Sequence, residues 1–210
     1  RTANLSDVYV AFVQQFFRFL SRCVSHNSNS ISGLNIFCVQ LSNVALDTIG
    51  EIVQQANLKK LIIKGCDFDD FSALLLKCQP LSYLDLNANL SGCGGCTRRF
   101  QLGEVIALLK LLLHSKLVTL KFSYLINNLW ELYMLSDALY ECSTLCNLTL
   151  SFKCLIGFWE SDSFIESDSV SMKVRYFFLN FLHTFYRRNT PLKTLTCDLL
   201  SHSGTYRFTR

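Results

Sequence analysis

Cys93 and Cys96, two glycines apart in Cys93-Gly94-Gly95-Cys96, have the spacing at which two thiolates grip one edge of a zinc ion. Structural zinc takes four ligands, and the chain has no second Cys-x-x-Cys and no paired-histidine motif. His114, the nearest histidine, falls at the end of an expected helix. A redox role for the pair needs a thioredoxin-like strand–helix–strand setting, which the surrounding residues do not supply. The reading adopted is a loop in an enlarged structural unit, with Cys93 and Cys96 kept as metal candidates and no cofactor expected. Asp67, Asp69 and Asp70 form a second cluster, whose carboxylates suit the start of a helix, where they cap amides and meet the positive end of the dipole. His26, His114, His183 and His202 are scattered, and no Gly-x-Ser-x-Gly elbow, phosphate loop or G-x-G-x-x-G occurs. Enzymatic activity is not expected.

Half of the 210 residues are apolar and 17% are charged, against roughly 25% charged in ordinary soluble domains. A disordered chain is excluded, and two prolines and nine glycines exclude a collagen-like or linker-dominated one. The net charge of +4 is too mild to call for nucleic acid. The most apolar stretches, Val8–Leu20 and Val105–Leu113, are broken by Gln14, Gln15, Arg18 and Lys110, short of the roughly 18–20 apolar residues of a membrane span. The chain opens on Arg1 without a signal-peptide layout and reads as a trimmed piece of something longer. Most of the ten cysteines fall in expected strands and helices, where a free thiol behaves as a small hydrophobe. That usage points to a reducing, cytoplasmic setting. The sequons at Asn4, Asn89 and Asn147 are discounted, since Asn147 lies in an expected strand and Asn89 in a turn.

An apolar spacing, L-x-x-L-x-L, organises the chain. It recurs at Ile31-Leu34-Ile36, Leu58-Leu61-Ile63, Leu81-Leu84-Leu86, Leu117-Leu120-Phe122, Leu145-Leu148-Leu150 and Leu192-Leu195-Cys197. Successive starts stand 27, 23, 36, 28 and 47 residues apart. The period-2 centre of each triplet suits a short strand. Between triplets, Val44/Leu46/Ile49/Ile52/Val53, Phe71/Leu74/Leu75/Cys78, Leu102/Val105/Ile106/Leu109/Leu112/Leu113, Leu132/Leu135/Leu139/Cys142 and Val170/Val174/Phe177/Phe178/Phe181/Leu182/Phe185 each mark one helical face. The unit is strand–loop–helix, and one unit cannot bury its own apolar face without neighbours. An opening helix over 5–24 places Val8, Phe12, Val13, Phe16, Leu20 and Val24 on its apolar side. It serves as the partner helix of an earlier unit or as a cap.

The best units, Leu58-Lys59-Lys60-Leu61-Ile62-Ile63-Lys64-Gly65-Cys66 and Leu81-Ser82-Tyr83-Leu84-Asp85-Leu86-Asn87-Ala88-Asn89, resemble the leucine-rich repeat family. Cys66 and Asn89 stand where that family places cysteine or asparagine to bond the turn after the strand. Cys78 and Cys142, three residues before Leu81 and Leu145, and the full-length helices look like the ribonuclease-inhibitor-like, cysteine-containing subclass. Leu125 and Lys153 depart from the pattern. The resemblance implies an α/β solenoid of about six irregular repeats, with parallel strands on a concave face and helices on a convex one. It covers 31–200, with insertions near 90–101 and 155–169, an N-terminal helix over 1–30 and a C-terminal tail over 201–210.

In such a solenoid the triplet leucines face inward and the intervening residues line the concave surface. The partner-binding candidates are Lys60, Ile62, Lys64, Tyr83, Asp85, Asn87, Thr119, Lys121, Tyr124, Asn147, Thr149 and Phe152, with the aromatics as anchors. The acidic, serine-rich stretch over 158–169 is a docking or phosphorylation segment near Lys173 and Arg175, or a solvated loop. The function expected is a non-catalytic protein–protein interaction module, the leucine-rich part of a larger receptor, adaptor or scaffold. The alternative is a structural subunit packed permanently in an assembly. The expected partner is a protein, not nucleic acid, and there is no membrane span.

Overall fold

A computed structural model describes residues 5–26, 31–37, 39–68, 70–86, 102–126, 134–135, 137–139, 141–154, 191–199 and 204–209. The elements alternate: α1 (Leu5–His26), β1 (Gly33–Phe37), β2 (Gln40–Leu41), α2 (Asn43–Gln55), β3 (Lys60–Lys64), β4 (Asp67–Phe68), α3 (Ser72–Lys77), β5 (Tyr83–Leu86), α4 (Leu102–His114), β6 (Thr119–Ile126), β7 (Asn147–Cys154), β8 (Thr194–Leu199) and β9 (Gly204–Thr209). Residues 134, 135, 137–139 and 141 are also helical.

The main sheet runs β1-β3-β5-β6-β7-β8-β9, and the first six strands are parallel. Each new strand lands beside the one before it. Parallel crossovers are right-handed, so an order that never reverses puts the described connecting helices α2, α3 and α4 on the same face. A doubly wound sheet reverses its order and covers both faces; among the described residues the order does not reverse, and no described helix lies on the second face.

Register locks this arrangement. Leu34, Leu61, Leu84, Leu120, Leu148 and Leu195 are consecutive partners across the six strands. Leu61, Leu84, Leu120, Leu148 and Leu195 are buried in one core with Leu46, Ile49, Ile52 and Val53 of α2, Leu74 and Leu75 of α3, and Val105, Leu108 and Leu112 of α4. A one-residue slip would turn the whole row toward solvent. Just before each strand a single carbonyl accepts two amides from the next: Ser32 O from Lys59 N and Lys60 N (2.9 and 3.2 Å), and Lys59 O from Ser82 N and Tyr83 N (2.9 and 3.0 Å). The same step joins Ser82 to Val118 and Thr119, Val118 to Cys146 and Asn147, and Cys146 to Lys193 and Thr194.

Local signals close the elements. Ser42 Oγ caps α2 by accepting from Ala45 N at 3.3 Å, and it also accepts from Gln14 Nε2 of α1 at 2.8 Å. Asn57, just past α2, takes the left-handed conformation (φ 48°) that asparagine tolerates after a helix. Asp70 accepts from Ser72 N at 2.8 Å and from Ser72 Oγ at 3.0 Å just before α3, but the cap position expected of that acidic cluster is held by Phe71, which makes no side-chain cap. Asp67 instead pairs within β4, against Gln40 of β2.

Two expectations need correction. Residues 204–209, read as part of a tail, form β9 antiparallel to β8, pairing Leu195 with Phe208 and Cys197 with Tyr206. The period-2 placing of Tyr206 and Phe208 carried that signal without a leucine triplet. On α1, Val13, Phe17 and Val24 are the buried residues, whereas Val8, Phe12 and Phe16 stand exposed. Where Leu125 and Lys153 depart from the repeat pattern, β6 and β7 run on, pairing Leu125 with Lys153 and Ile126 with Cys154. Cys93, Cys96, Asn87, the two insertions and the expected helix over 170–185 lie outside the described residues.

Candidate functional site

The sheet face away from α2, α3 and α4 collects the residues that alternate with the leucine row. In register they form ranks across the strands. Lys60, Tyr83, Thr119, Asn147 and Thr194 make one; Ile62, Asp85, Lys121, Thr149 and Thr196 make the next. Lys60 is exposed, and Tyr83, Thr119, Lys121, Asn147, Thr149, Thr194 and Thr196 are partly so. Asn147 Nδ2 donates to Thr119 Oγ1 at 3.2 Å, tying neighbouring strands along the first rank.

Tyr83 is the centre of this face. Lys60, its direct partner on β3, holds Nζ 5.1 Å from the ring centroid, and Lys121 of β6 holds its Nζ at 5.8 Å. Both are cation–π distances. The Tyr83 hydroxyl donates to Asp85 Oδ2 at 3.3 Å, two residues along the same strand face. Asp85 Oδ2 also meets Lys64 Nζ at 2.9 Å. Three strands thus supply one network of three ammonium groups, one phenol and one carboxylate.

Two candidates behave differently from expectation. Ile62 is only 9% exposed and Asp85 only 1%. The Asp85 carboxylate lies beneath the groups it bonds, so it holds Tyr83 and Lys64 in place instead of facing a partner. Burying a carboxylate is tolerated only when it is paired and hydrogen-bonded, and here it is both. The groups left to meet a partner are Lys60, Lys64, Tyr83 and Lys121, with the threonine and asparagine side chains beyond them. Tyr124 and Phe152 are aligned as partners in β6 and β7, further along the same strands.

The cysteines sit on the other side of the account. Cys66 is buried, its Sγ 3.4 Å from Lys64 O and 3.9 Å from Ile36 O of the neighbouring strand, so the thiol bonds backbone after β3. Gly65, just before it, has φ 62°, a turn conformation that side chains resist. Cys23, Cys66, Cys78, Cys142 and Cys146 are free thiols, and burial pushes the Cys78 thiol far above its ordinary range. Because the thiolate is the nucleophile, alkylation of the folded chain should label Cys146 well before Cys66, Cys78 or Cys142. Mass spectrometry of timed iodoacetamide reactions checks the order; equal rates would mean that the core opens readily. Among the described residues no three His, Cys, Asp or Glu side chains gather to hold a metal, and no helix is long and apolar enough to cross a membrane.

Comparison with protein-family models, curated proteins and solved structures finds no match.

Proposed function

We propose that the chain is a non-catalytic protein-binding module of leucine-rich-repeat type, cytoplasmic, whose binding surface is the sheet face away from α2, α3 and α4. The observation that carries this is the Lys60–Tyr83–Lys121 cluster, in which the buried Asp85 holds Tyr83 and the neighbouring Lys64. An ordered aromatic ring between two cations is a pre-set anchor, since little side-chain freedom remains to be lost on binding. Around Tyr83 the charges are Lys60, Lys64 and Lys121 against Asp85. A partner that lays carboxylates across these strands therefore matches the surface, and the charge steers its approach. The recurrent carbonyl step at the six triplets supports the repeat reading.

The test is a display library of peptides panned against the full chain. Binders enriched in Asp and Glu are expected. Their affinity should fall at least about tenfold in the double variant Lys60→Glu/Lys121→Glu, the scale of losing one hot-spot contact. It should also weaken as salt rises. Both lysines touch the Tyr83 ring, so the variant should also lose about 1–2 kcal/mol of stability with the two cation–π contacts, and binding is read where circular dichroism shows it folded. Binders that ignore both substitutions would remove this face from the proposal.

A further inference from the structure

The ion pair between Asp85 and Lys64 divides the lysines around Tyr83 into two kinds. Lys64 Nζ is neutralised by Asp85 Oδ2 at 2.9 Å. Lys60 and Lys121 are not. Among the described residues neither ammonium is paired with a carboxylate, and each rests against the Tyr83 ring, 5.1 and 5.8 Å from its centroid. An aromatic face attracts a cation without cancelling its charge, so two full positive charges stay on the surface, gathered by one ring. Three neighbouring strands set their positions. Lys60 is the direct partner of Tyr83 on β3, and Lys121 stands on β6 two residues beyond Thr119, the partner of Tyr83 on the other side.

A third donor stands beside them. Thr119 Oγ1 accepts from Asn147 Nδ2 at 3.2 Å. That bond occupies one lone pair and leaves the hydroxyl proton, which no described residue accepts. Lys60 and Lys121 are donors only, and Thr119 has its proton to give. The matching ligand group is made of acceptors, carries two negative charges and presents three oxygens. A carboxylate has one charge and two oxygens. The planar fork that suits it is an arginine guanidinium, and no arginine is among the described contacts of Tyr83. A phosphate monoester carries a charge of about −1.5 to −2 near neutral pH and three acceptor oxygens, and lysine binds it as a point charge.

We infer that the anchor of this face is a phosphate monoester on the protein partner, a phosphoserine or phosphothreonine, held by Lys60, Lys121 and Thr119. The inference rests on the reading of this face as a protein-binding surface and adds what the partner must carry. Acidic flanks are steered in by the same charge, and the phosphoryl group is what the lysine pair singles out. Binding then waits on a kinase that acts on the partner.

The test uses three labelled peptide pools with the same random flanks and a fixed central phosphoserine, glutamate or serine. Fluorescence polarisation against the full chain should rank phosphoserine first, at least about fivefold over glutamate and about tenfold over serine. In Lys60→Gln/Lys121→Gln, shown to be folded by circular dichroism, that preference should vanish. Thr119→Val keeps both lysines and the Tyr83 ring, so it answers even if the lysine variant unfolds. It should weaken the phosphoserine pool about threefold and the glutamate pool by less than about twofold. Equal binding of the phosphoserine and glutamate pools, both lost in the lysine variant, overturns the inference and leaves the acidic-partner reading standing. Binding of no pool through this face removes both. A phosphoserine preference indifferent to all three residues also overturns the inference. So does binding to vesicles containing phosphatidic acid in place of the peptides, which would make the ligand a lipid headgroup.

Discussion

Leu84→Ala should lower the unfolding free energy by about 3–5 kcal/mol, the upper part of the range for emptying a leucine site in a core that cannot collapse. Leu84 is fully buried, sits in β5 at the centre of the parallel run, and has Leu61 and Leu120 as register partners on either side. Flanking strands are held by their own ladders, and α3 and α4 pack against each other above, so neighbours cannot close over the lost volume. In a chain of this length each kcal/mol moves Tm by about 2–4 °C, so a drop of roughly 10 °C is the expected reading. Leu34→Ala, in the same row at the sheet edge, replaces a side chain that is only partly buried and should shift Tm by less than half as much. Urea unfolding of the two variants beside the parent decides it, and equal losses would show that the row is not one cooperative core.

The second large effect belongs to Glu104. Its carboxylate, in the first turn of α4, is fully buried and accepts from Phe71 N at 3.1 Å, at the entry to α3. One side chain thus satisfies a helix entry 33 positions earlier in the chain. Removing it in Glu104→Ala gives up a charge-assisted hydrogen bond to a buried amide, which costs about 1.5–3 kcal/mol. Return of the carboxylate to water in the unfolded state no longer opposes folding, so the expected net loss is about 1–3 kcal/mol. Glu104→Gln keeps an acceptor oxygen at the same reach and should lose less than half of that. Equal losses for the two would mean that the charge, and not the bond to Phe71, is what matters there.

How far the sequence carries depends on the range of the interactions. The leucine triplets mark β1, β3, β5, β6, β7 and β8 because each triplet is a local pattern, and Ser42 caps α2 through a partner three residues away. α1 is harder: its apolar residues span two adjoining arcs, so periodicity finds the helix without telling which arc meets α2. The candidate face shows the same limit. Alternation correctly leaves Lys60, Tyr83, Lys121, Thr149 and Asn147 outside the core, yet places Asp85 among them. Its burial comes from Lys64 on the neighbouring strand and from Tyr83 folding back over it. No spacing along β5 encodes that. Glu104 is hidden for the same reason, since its partner amide lies on a different helix entry. Whether the face binds a partner, and of what kind, is proposed above from its charge and its ordered ring.

The unreversed strand order has a mechanical corollary. Among the described residues each interior strand of the main sheet is paired only with its two neighbours in the order, and β1 and β9 with one, so tension applied to the ends of the chain is not shared across the whole sheet. Under load the chain should come apart from its ends inward, one strand and its helix at a time, in a series of small releases instead of a single rupture. A protein built this way resists heat as one body but yields to pulling piece by piece.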